Sequence, residues 1–242
     1  MDRSSSLVRT IDAVSVVDQV TVEIRRSIMS GGLAPGQEFS LRGLAEQLGV
    51  SLIPVRESLR RLETEGLVIT RRARSAIVAP LELSELHDIY RLRRQIEPEI
   101  VARSCLLMGA SALEDLKALQ REHASAVDRD VRHEAHYALH LAMLAPAATA
   151  WDLRVIEMLW NSAERYVRFA FRTLEKNPAE PKRRGRAHAD LVSAFGKRDP
   201  VVMAEAMREH LDNTENFAVM AIGRRTALDS TSNRLVEEPE VR

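Results

Sequence analysis

The first third of the chain alternates short apolar patterns with turn signals. In VTVEIRRSIMSGGL, Val20, Ile24 and Ile28 recur at the spacing of one helical face. Two further helices are predicted within 40–49 and 51–65, because each range opens on a serine that can cap a helix and a glycine stands at its end. LVIT and AIVAP then predict two short strands joined by the basic loop RRARS. This order, three helices and then a strand pair, is typical of a winged helix-turn-helix.

From residue 84 onward the strand signal disappears and helical periodicity takes over. LSELHDIYRLRRQIEPEIVARSCLLMG predicts one long helix with a kink at Pro98. A capping box at Ser111–Glu114 and an N-cap with a following proline at Asp199-Pro200 predict two later helix starts. Residues 84–223 therefore predict a bundle of five to seven helices, whereas the polar tail 224–242 lacks periodicity and is expected to be mobile.

The predicted fold class is mainly α, with an N-terminal winged helix-turn-helix followed by an all-helical bundle. The predicted organisation is a flexible N-terminus at 1–14, a DNA-binding domain at 15–80, the helical domain at 84–223 and the tail. Of the 242 residues, 45% are apolar and 29% are charged, with both signs equal, which is typical of a soluble globular protein. The sequence offers no membrane segment and no signal peptide, so a cytoplasmic protein is expected. The single cysteine, Cys105, lies in an apolar stretch and is expected to be buried and inert.

The zero net charge hides a local concentration of arginine around the predicted third helix and strand pair. The apolar stripe of that helix points inward, so that its opposite side near the start carries Ile53, Arg56 and Arg60. Such side chains meet base edges when a helix lies in the major groove, and arginines of the hairpin suit phosphate or the minor groove. The alternative is a solvated face on which glutamates balance the arginines. The candidate DNA-contacting residues are Ser51, Ile53, Arg56, Arg60, Arg71, Arg72 and Arg74.

A second concentration of chemistry is HEAHYALH, residues 133 to 140. His136 and His140 are one helical turn apart and project to the same side, a spacing that suits shared binding of a metal. His188 and His210 lie on inward-facing stripes of later helices, so the four histidines either converge or each find a hydrogen-bond acceptor in the core. A hydrolase is disfavoured, because HEAH places its second histidine one residue too early for HExxH and HYALH lacks the glutamate base. No catalytic residue is assigned, and Glu134 is not given a role.

The first third also resembles the winged helix-turn-helix of GntR-type transcriptional regulators. The resemblance rests on LAPGQEFSLRGLAEQLGVSLIPVRESLRRLETEGLV, which is long and dense in matching positions. Where the family usually has Ser-Arg-Thr-Pro at the start of the recognition helix, this chain has Ser51-Leu52-Ile53-Pro54. A groove-facing arginine is therefore missing, and the usual operator preference is not carried over. The family's wing glycine is replaced by Ser75.

The rest of the chain resembles the FCD effector-binding domain of the FadR branch of these regulators. RRQIEPEIVA, HYALHLAML, RAHADLVSAF and AMREHL carry this likeness. The resemblance implies a divalent metal held by an aspartate and three histidines, and His140, His188 and His210 match the histidines. His136 stands at the aspartate position, so the ligand set is all imidazole, which favours zinc or nickel over manganese or magnesium.

The same resemblance implies a small carboxylate as effector, bound by the metal and an arginine. Arg93 matches the family's arginine on the first helix. It is the candidate effector-binding residue, because a guanidinium group binds a carboxylate in a bidentate way. The equally weighted alternative is an internal ion pair of Arg93 with Glu97, four residues later. Arg165 and Arg168 are weaker candidates.

Together these features predict a homodimeric, ligand-responsive repressor that binds the half-sites of a short palindrome in double-stranded DNA. Effector binding is expected to shift the helical domain between two states and release DNA. One alternative is a constitutive DNA-binding regulator with structural histidines and no metal. The other is a metalloenzyme fused to a DNA-binding module, and it is disfavoured because no carboxylate is placed as a general base.

Overall fold

The computed structural model describes residues 15–71, 74–174 and 180–236. The chain divides into two compact units, the first ending at Pro80 and the second beginning at Leu81. The predicted flexible N-terminus, Arg72 of the basic loop and the last six residues of the tail lie outside the described ranges. Within those ranges, no helix is both long enough and apolar enough to cross a membrane.

The first unit is a winged helix-turn-helix. In chain order its elements are α1 (Val16–Ser30), β1 (Glu38–Ser40), α2 (Leu41–Leu48), α3 (Leu52–Thr64), β2 (Val68–Arg71) and β3 (Ser75–Val78). The sheet has the order β1-β3-β2 with both pairings antiparallel, and Ala76 of β3 lies opposite Phe39 on one side and Thr70 on the other. The sequence missed β1, because three residues are too short to show an alternating pattern and the strand forms by pairing with β3.

Burial of one face of each helix holds this unit together. Val55, Leu59 and Leu62 of α3 are fully buried against Ile24 of α1 and Leu67 before β2, as the helical spacing predicted. The serine caps differ from one another. The Ser40 hydroxyl accepts a hydrogen bond from the Gly43 amide at 3.0 Å, which confirms the predicted cap of α2. Ser51 stands at the N-cap position of α3 without a side-chain cap bond.

The second unit is a bundle of helices. Its elements are α4 (Leu83–Leu107), α5 (Ala110–Ser125), α6 (Arg129–Leu144), α7 (Ala150–Leu174), α8 (Glu180–Gly196) and α9 (Pro200–Val236). The helix α4 packs against α6, α7, α8 and α9, and α5 packs against α6 and α8. Tyr90, Tyr166 and Phe195 are among the largest buried side chains of the core. Cys105 is buried as predicted, and burial raises the pKa of its thiol.

Three helix boundaries in this unit test the sequence patterns. Asp199 caps α9 as predicted, since its carboxylate accepts hydrogen bonds from the amides of Val201 and Val202. The capping box predicted at Ser111 was wrong, because the N-cap of α5 is Gly109, two residues earlier. The last helix was expected to end near Gly223, but α9 continues to Val236. A glycine inside a helix costs only about 1 kcal/mol relative to alanine, which a long helix tolerates.

The predicted kink position lies inside an unbroken helix. Pro98 falls in the middle of α4, which continues as one element from Leu83 to Leu107. Its neighbour Glu97 is fully buried and faces the bundle interior. The helix α4 therefore has buried residues both before and after Pro98.

Candidate metal centre and nucleic-acid surface

Three helices of the bundle bring the four predicted histidines together. The helix α6 carries His136 and His140, α8 carries His188 and α9 carries His210. One ligand nitrogen from each histidine lies within 4.8 Å of those of the other three. The ring centroids of His136 and His140 are 4.3 Å apart, and those of His188 and His210 are 4.8 Å apart. The histidines therefore converge, which was one of the two outcomes that the sequence left open.

The alternative of core histidines satisfied by hydrogen bonds does not fit His140. This residue is 1% exposed, and among the described residues neither of its ring nitrogens has a hydrogen-bond partner. The Nδ1 atom of His210 is buried and unsatisfied in the same way. A buried polar atom without a partner costs about 1–3 kcal/mol. One ring nitrogen of each of these histidines is therefore expected to bind a ligand or ion that lies between the four rings.

The electrostatics of the cluster favour neutral imidazoles. Burial lowers the pKa of His136, His140 and His210 well below the usual value, and the neighbouring histidines lower it further. The positive charge of Arg93 adds to this effect at His140 and His210. A neutral imidazole has a free lone pair, which is the form that binds a metal ion. The donor set thus fits a divalent ion with an affinity for nitrogen.

A fifth histidine, which the sequence analysis did not identify, lies beside this group. His123 stands near the end of α5 and is 4% exposed. Its ring centroid is 4.4 Å from that of His188 and 5.7 Å from that of His136. The signal was available, because His123 follows Leu116 by seven residues and both lie on the buried side of α5.

His133 is placed differently from the other histidines of its helix. It is partly exposed, its Nε2 atom lies 2.9 Å from the carboxylate of Glu164, and its ring centroid is 6.5 Å from that of His136. The sequence analysis left His133 out of the ligand set. Its contact with Glu164 on α7 gives it a separate structural role.

The arginine predicted to bind a carboxylate is engaged inside the bundle. Arg93 Nε donates to Glu97 Oε1 at 2.6 Å, and the Nε1 atom of Trp160 donates to the same oxygen at 3.0 Å. Arg93 and Glu97 are both buried, and the Arg93 guanidinium lies 4.8 Å from the centre of the Tyr90 ring. The internal ion pair, which the sequence analysis weighed as an alternative, is therefore present. Arg93 still lies close enough to lower the pKa of His140 and His210.

The two weaker arginine candidates also have carboxylate partners. Arg165 pairs with Glu85 and contacts the Tyr166 hydroxyl. Arg168 Nε lies 2.6 Å from Glu164, and Arg168 also pairs with Asp130. In this arrangement all three candidate arginines neutralise acidic groups of the protein itself.

The winged unit presents a basic surface around the start of α3. Ile53 is 72% exposed, and Arg56 is exposed on the same side. A cavity of about 470 Å³ beside them is lined by Ser40, Leu41, Arg42, Leu52, Arg56 and Arg74. The sequence analysis did not identify Arg42, since it lies at the start of the preceding helix and only the fold brings it to this cavity.

The alternative of a solvated face required glutamates to pair with the arginines of this surface, and most of these arginines lack such a partner in the described part of the chain. Arg60 pairs with Glu57 at 2.9 Å. In the described part of the chain, Arg56, Arg71 and Arg74 have no carboxylate partner, and all three are exposed. Ser51 is also exposed, at the N-terminus of α3. Arg56 and Arg74, which line the same cavity, therefore leave unpaired positive charge beside the start of α3.

The sequence matches known families over both units. Residues 16–78 match the family described as bacterial regulatory proteins, gntR family, and residues 88–213 match the family described as FCD domain. The chain is 27% identical over 201 residues to the HTH-type transcriptional repressor RspR of Escherichia coli K12, covering 81% of this chain and 86% of that protein. It is 25% identical over 205 residues to the HTH-type transcriptional regulator McbR of the same strain, covering 82% and 92%.

Solved structures show the same fold. Escherichia coli McbR/YncC has a TM-score of 0.70 and 24% identity, covering 86% of this chain and 99% of that chain. A transcriptional regulator from Rhodococcus sp. RHA1 has a TM-score of 0.67 and 18% identity, with the same coverage. The metal-free FCD domain of TM0439 has a TM-score of 0.50 and 14% identity, covering 60% of this chain and 99% of that chain.

Proposed function

Because the chain belongs to the GntR family of bacterial regulatory proteins and carries an FCD domain, we propose that it is a ligand-responsive regulator whose helical unit binds a divalent metal and a small carboxylate. It is a DNA-binding transcriptional regulator, and its named relatives RspR, GlaR and McbR are regulators rather than enzymes. The convergence of the half-buried His136 with three buried histidines, His140, His188 and His210, on one point is the observation that carries the proposal.

The proposed metal ligands are His136, His140, His188 and His210. Four neutral nitrogen donors without a carboxylate suit zinc or nickel, because imidazole is a favourable donor for both, whereas magnesium and manganese prefer oxygen. A divalent ion held there would act as a Lewis acid and offer a coordination site to an oxygen atom. The protein supplies the converging nitrogens and a buried environment around them.

Charge balance supports an anionic effector. The four imidazoles are neutral, and the charge of Arg93 is already offset by Glu97 at 2.6 Å. A divalent cation would therefore leave two uncompensated positive charges in the bundle, and buried charge is costly unless it is paired. A small carboxylate that binds the metal would reduce this charge. Arg93 is the arginine best placed to assist, because it lies close enough to His140 and His210 to lower their pKa values. Arg165 and Arg168 are not among the groups that shift these pKa values.

The proposed mode of action is that of a homodimer. Two copies would place two α3 helices on the two half-sites of a palindrome, with Ile53 and Arg56 at base edges and the hairpin arginines at phosphates. Effector binding would favour one of two states of the helical unit and release the DNA. An effector has this action only if its affinity differs between those states. We propose repression rather than activation as the mode, since the relatives RspR and GlaR are named transcriptional repressors.

Replacing Arg56 with alanine is expected to weaken binding to specific DNA by about 1–3 kcal/mol, because the exposed guanidinium is placed to contact a base edge. Fluorescence anisotropy with an operator selected from a random duplex library, and with an unselected duplex, measures the effect. Arg61→Ala is the matched control, since Arg61 lies on the same helix but pairs with Asp18 of α1. Equal losses on the two duplexes would show that Arg56 contacts only phosphate.

Removing the metal is expected to lower the thermal stability of the protein. Tag-free protein is stripped with a chelator and then titrated with zinc or nickel, and the bound metal per chain and the unfolding midpoint are measured. We expect one strongly bound ion per chain. At a free metal concentration of 100 times the dissociation constant, binding stabilises the folded state by about 2.7 kcal/mol. Absence of stoichiometric metal together with an unchanged midpoint would instead support a constitutive regulator with structural histidines.

A further inference from the structure

Two neighbouring apolar residues open the helix α3, and their surroundings differ. Leu52 is half-buried, packs against the hydrophobic core of the winged unit and lines the cavity beside Arg56. Ile53, the next residue, is 72% exposed. Of the two apolar side chains at the start of this helix, that of Ile53 is therefore the one available to a binding partner.

Ile53 lies on the side of α3 opposite to the core. Leu62, which is fully buried, follows Ile53 by about two and a half helical turns, so the two side chains point in opposite directions. Arg56 and Arg60 are exposed further along the helix. Ile53 thus projects from the side that faces base pairs when such a helix lies in the major groove.

A single exposed apolar side chain is common on a protein surface and needs no partner to explain it. Val22 of α1, which is 64% exposed, is an example in the same unit. Ile53 differs from Val22 because it shares a helix with Arg56, an exposed arginine without a carboxylate partner in the described part of the chain. This combination suits a partner that presents both anionic and apolar groups.

The major groove of DNA presents such a combination. Phosphates border the groove, and the C5-methyl group of thymine is the apolar group that a base pair offers within it. The other base edges present hydrogen-bond donors and acceptors, which the isoleucine side chain would cover without satisfying. Ile53 therefore favours thymine by contact with the methyl group and disfavours the other bases at the same position.

We propose that Ile53 contacts the C5-methyl group of a thymine in each half-site of the operator, an inference that rests on the proposed docking of α3 in the major groove. Ile53 and Arg56 are about 4.5 Å apart along the helix axis, and successive base pairs are about 3.4 Å apart along DNA. The two side chains therefore reach the same or neighbouring base pairs. Thymine is expected within about one base pair of the position that Arg56 contacts.

The test uses the full-length protein and the operator that it selects from a random duplex library. Each thymine is replaced in turn by deoxyuridine in both half-sites, which removes only the methyl group, and anisotropy titrations measure the affinity. Burial of one methyl-sized group is worth about fourfold in affinity, so we expect one such replacement to weaken wild-type binding by about fifteenfold over two half-sites. Ile53→Ala is expected to bind the thymine and deoxyuridine duplexes equally.

Two further variants separate the contact with the methyl group from general effects of substitution. Ile53→Val keeps a branched apolar side chain and is expected to keep the preference for thymine. Val22→Ala, which shortens an exposed apolar side chain on α1, is expected to match the wild type. Alanine is a favourable helix residue, so Ile53→Ala is expected to fold, and far-UV circular dichroism checks this.

Two results would overturn the role of Ile53 while leaving sequence-specific binding intact. One is an operator in which the loss of no thymine methyl group weakens wild-type binding. The other is a folded Ile53→Ala protein that prefers thymine to deoxyuridine by the same factor as the wild type. A protein that selects no duplex sequence from the library would overturn the proposed base contacts of α3 and this inference together.

Discussion

Glu97→Ala is expected to lower the free energy of unfolding of the helical unit by about 3–5 kcal/mol, because it leaves the charge of Arg93 buried without a partner. Glu97 is completely buried on α4 and accepts hydrogen bonds from both Arg93 and the Trp160 indole. The two side chains bind each other directly at 2.6 Å. Chemical denaturation followed by circular dichroism measures the change.

The same helix offers a matched control for this variant. Glu99 pairs with Arg103 at the same spacing of four residues, but its side chain is 63% exposed. Glu99→Ala is expected to cost less than about 1 kcal/mol, as is usual for a surface ion pair. The double replacement Arg93→Met with Glu97→Leu should recover much of the stability, because no unpaired charge remains. Equal small losses for Glu97→Ala and Glu99→Ala would contradict the burial of the Arg93–Glu97 pair.

His140→Ala is expected to remove tight metal binding, with the dissociation constant rising by more than about 1,000-fold, or roughly 4 kcal/mol. His140 is central to the cluster, since its ring lies 4.3 Å from His136 and 5.0 Å from His210. Among the described residues neither of its buried nitrogens has a hydrogen-bond partner, so one of them is free to bind the proposed metal. Competition with a chromophoric chelator measures the affinity for zinc and for nickel.

His133→Ala is the control for this experiment, because His133 lies on the same helix but contacts Glu164. Its metal affinity is expected to match that of the wild type. Far-UV circular dichroism of the metal-free proteins shows whether the two variants retain the helical fold. If folded His140→Ala bound metal as tightly as the wild type, the proposed set of ligands would be wrong.

Much of the fold could be predicted from local patterns. The helices of the winged unit follow from apolar spacing, serine caps and terminal glycines, and α3 buries the side chains that its periodicity indicates. The strand β1 and the late end of α9 could not be predicted in the same way. The first depends on pairing with β3, and the second depends on how a long helix tolerates Gly223, so neither is determined by the residues at the boundary alone.

The candidate sites show the same division between local pattern and tertiary contact. Helical spacing places His136 and His140 on one side of α6, but only the fold brings His188 and His210 to them. The spacing of Arg93 and Glu97 permitted either an internal pair or a free arginine, and their burial decided for the pair. His123 was missed because its spacing from Leu116 indicates only that it lies on the buried side of α5, and the packing of α5 against α6 and α8 is what brings it beside the other histidines.

Coupling between the histidine centre and DNA binding is measured most directly by the affinity of the full-length protein for a selected operator. Anisotropy titrations compare metal-free protein, nickel- or zinc-loaded protein, and loaded protein with a panel of small carboxylates. We expect the metal and a carboxylate together to weaken operator binding by at least about fivefold, the lower end of typical allosteric coupling. Binding to an unselected duplex should change little, and His140→Ala should abolish the response. Identical operator affinity in every condition, for protein that carries one metal ion per chain, would contradict a ligand-responsive regulator.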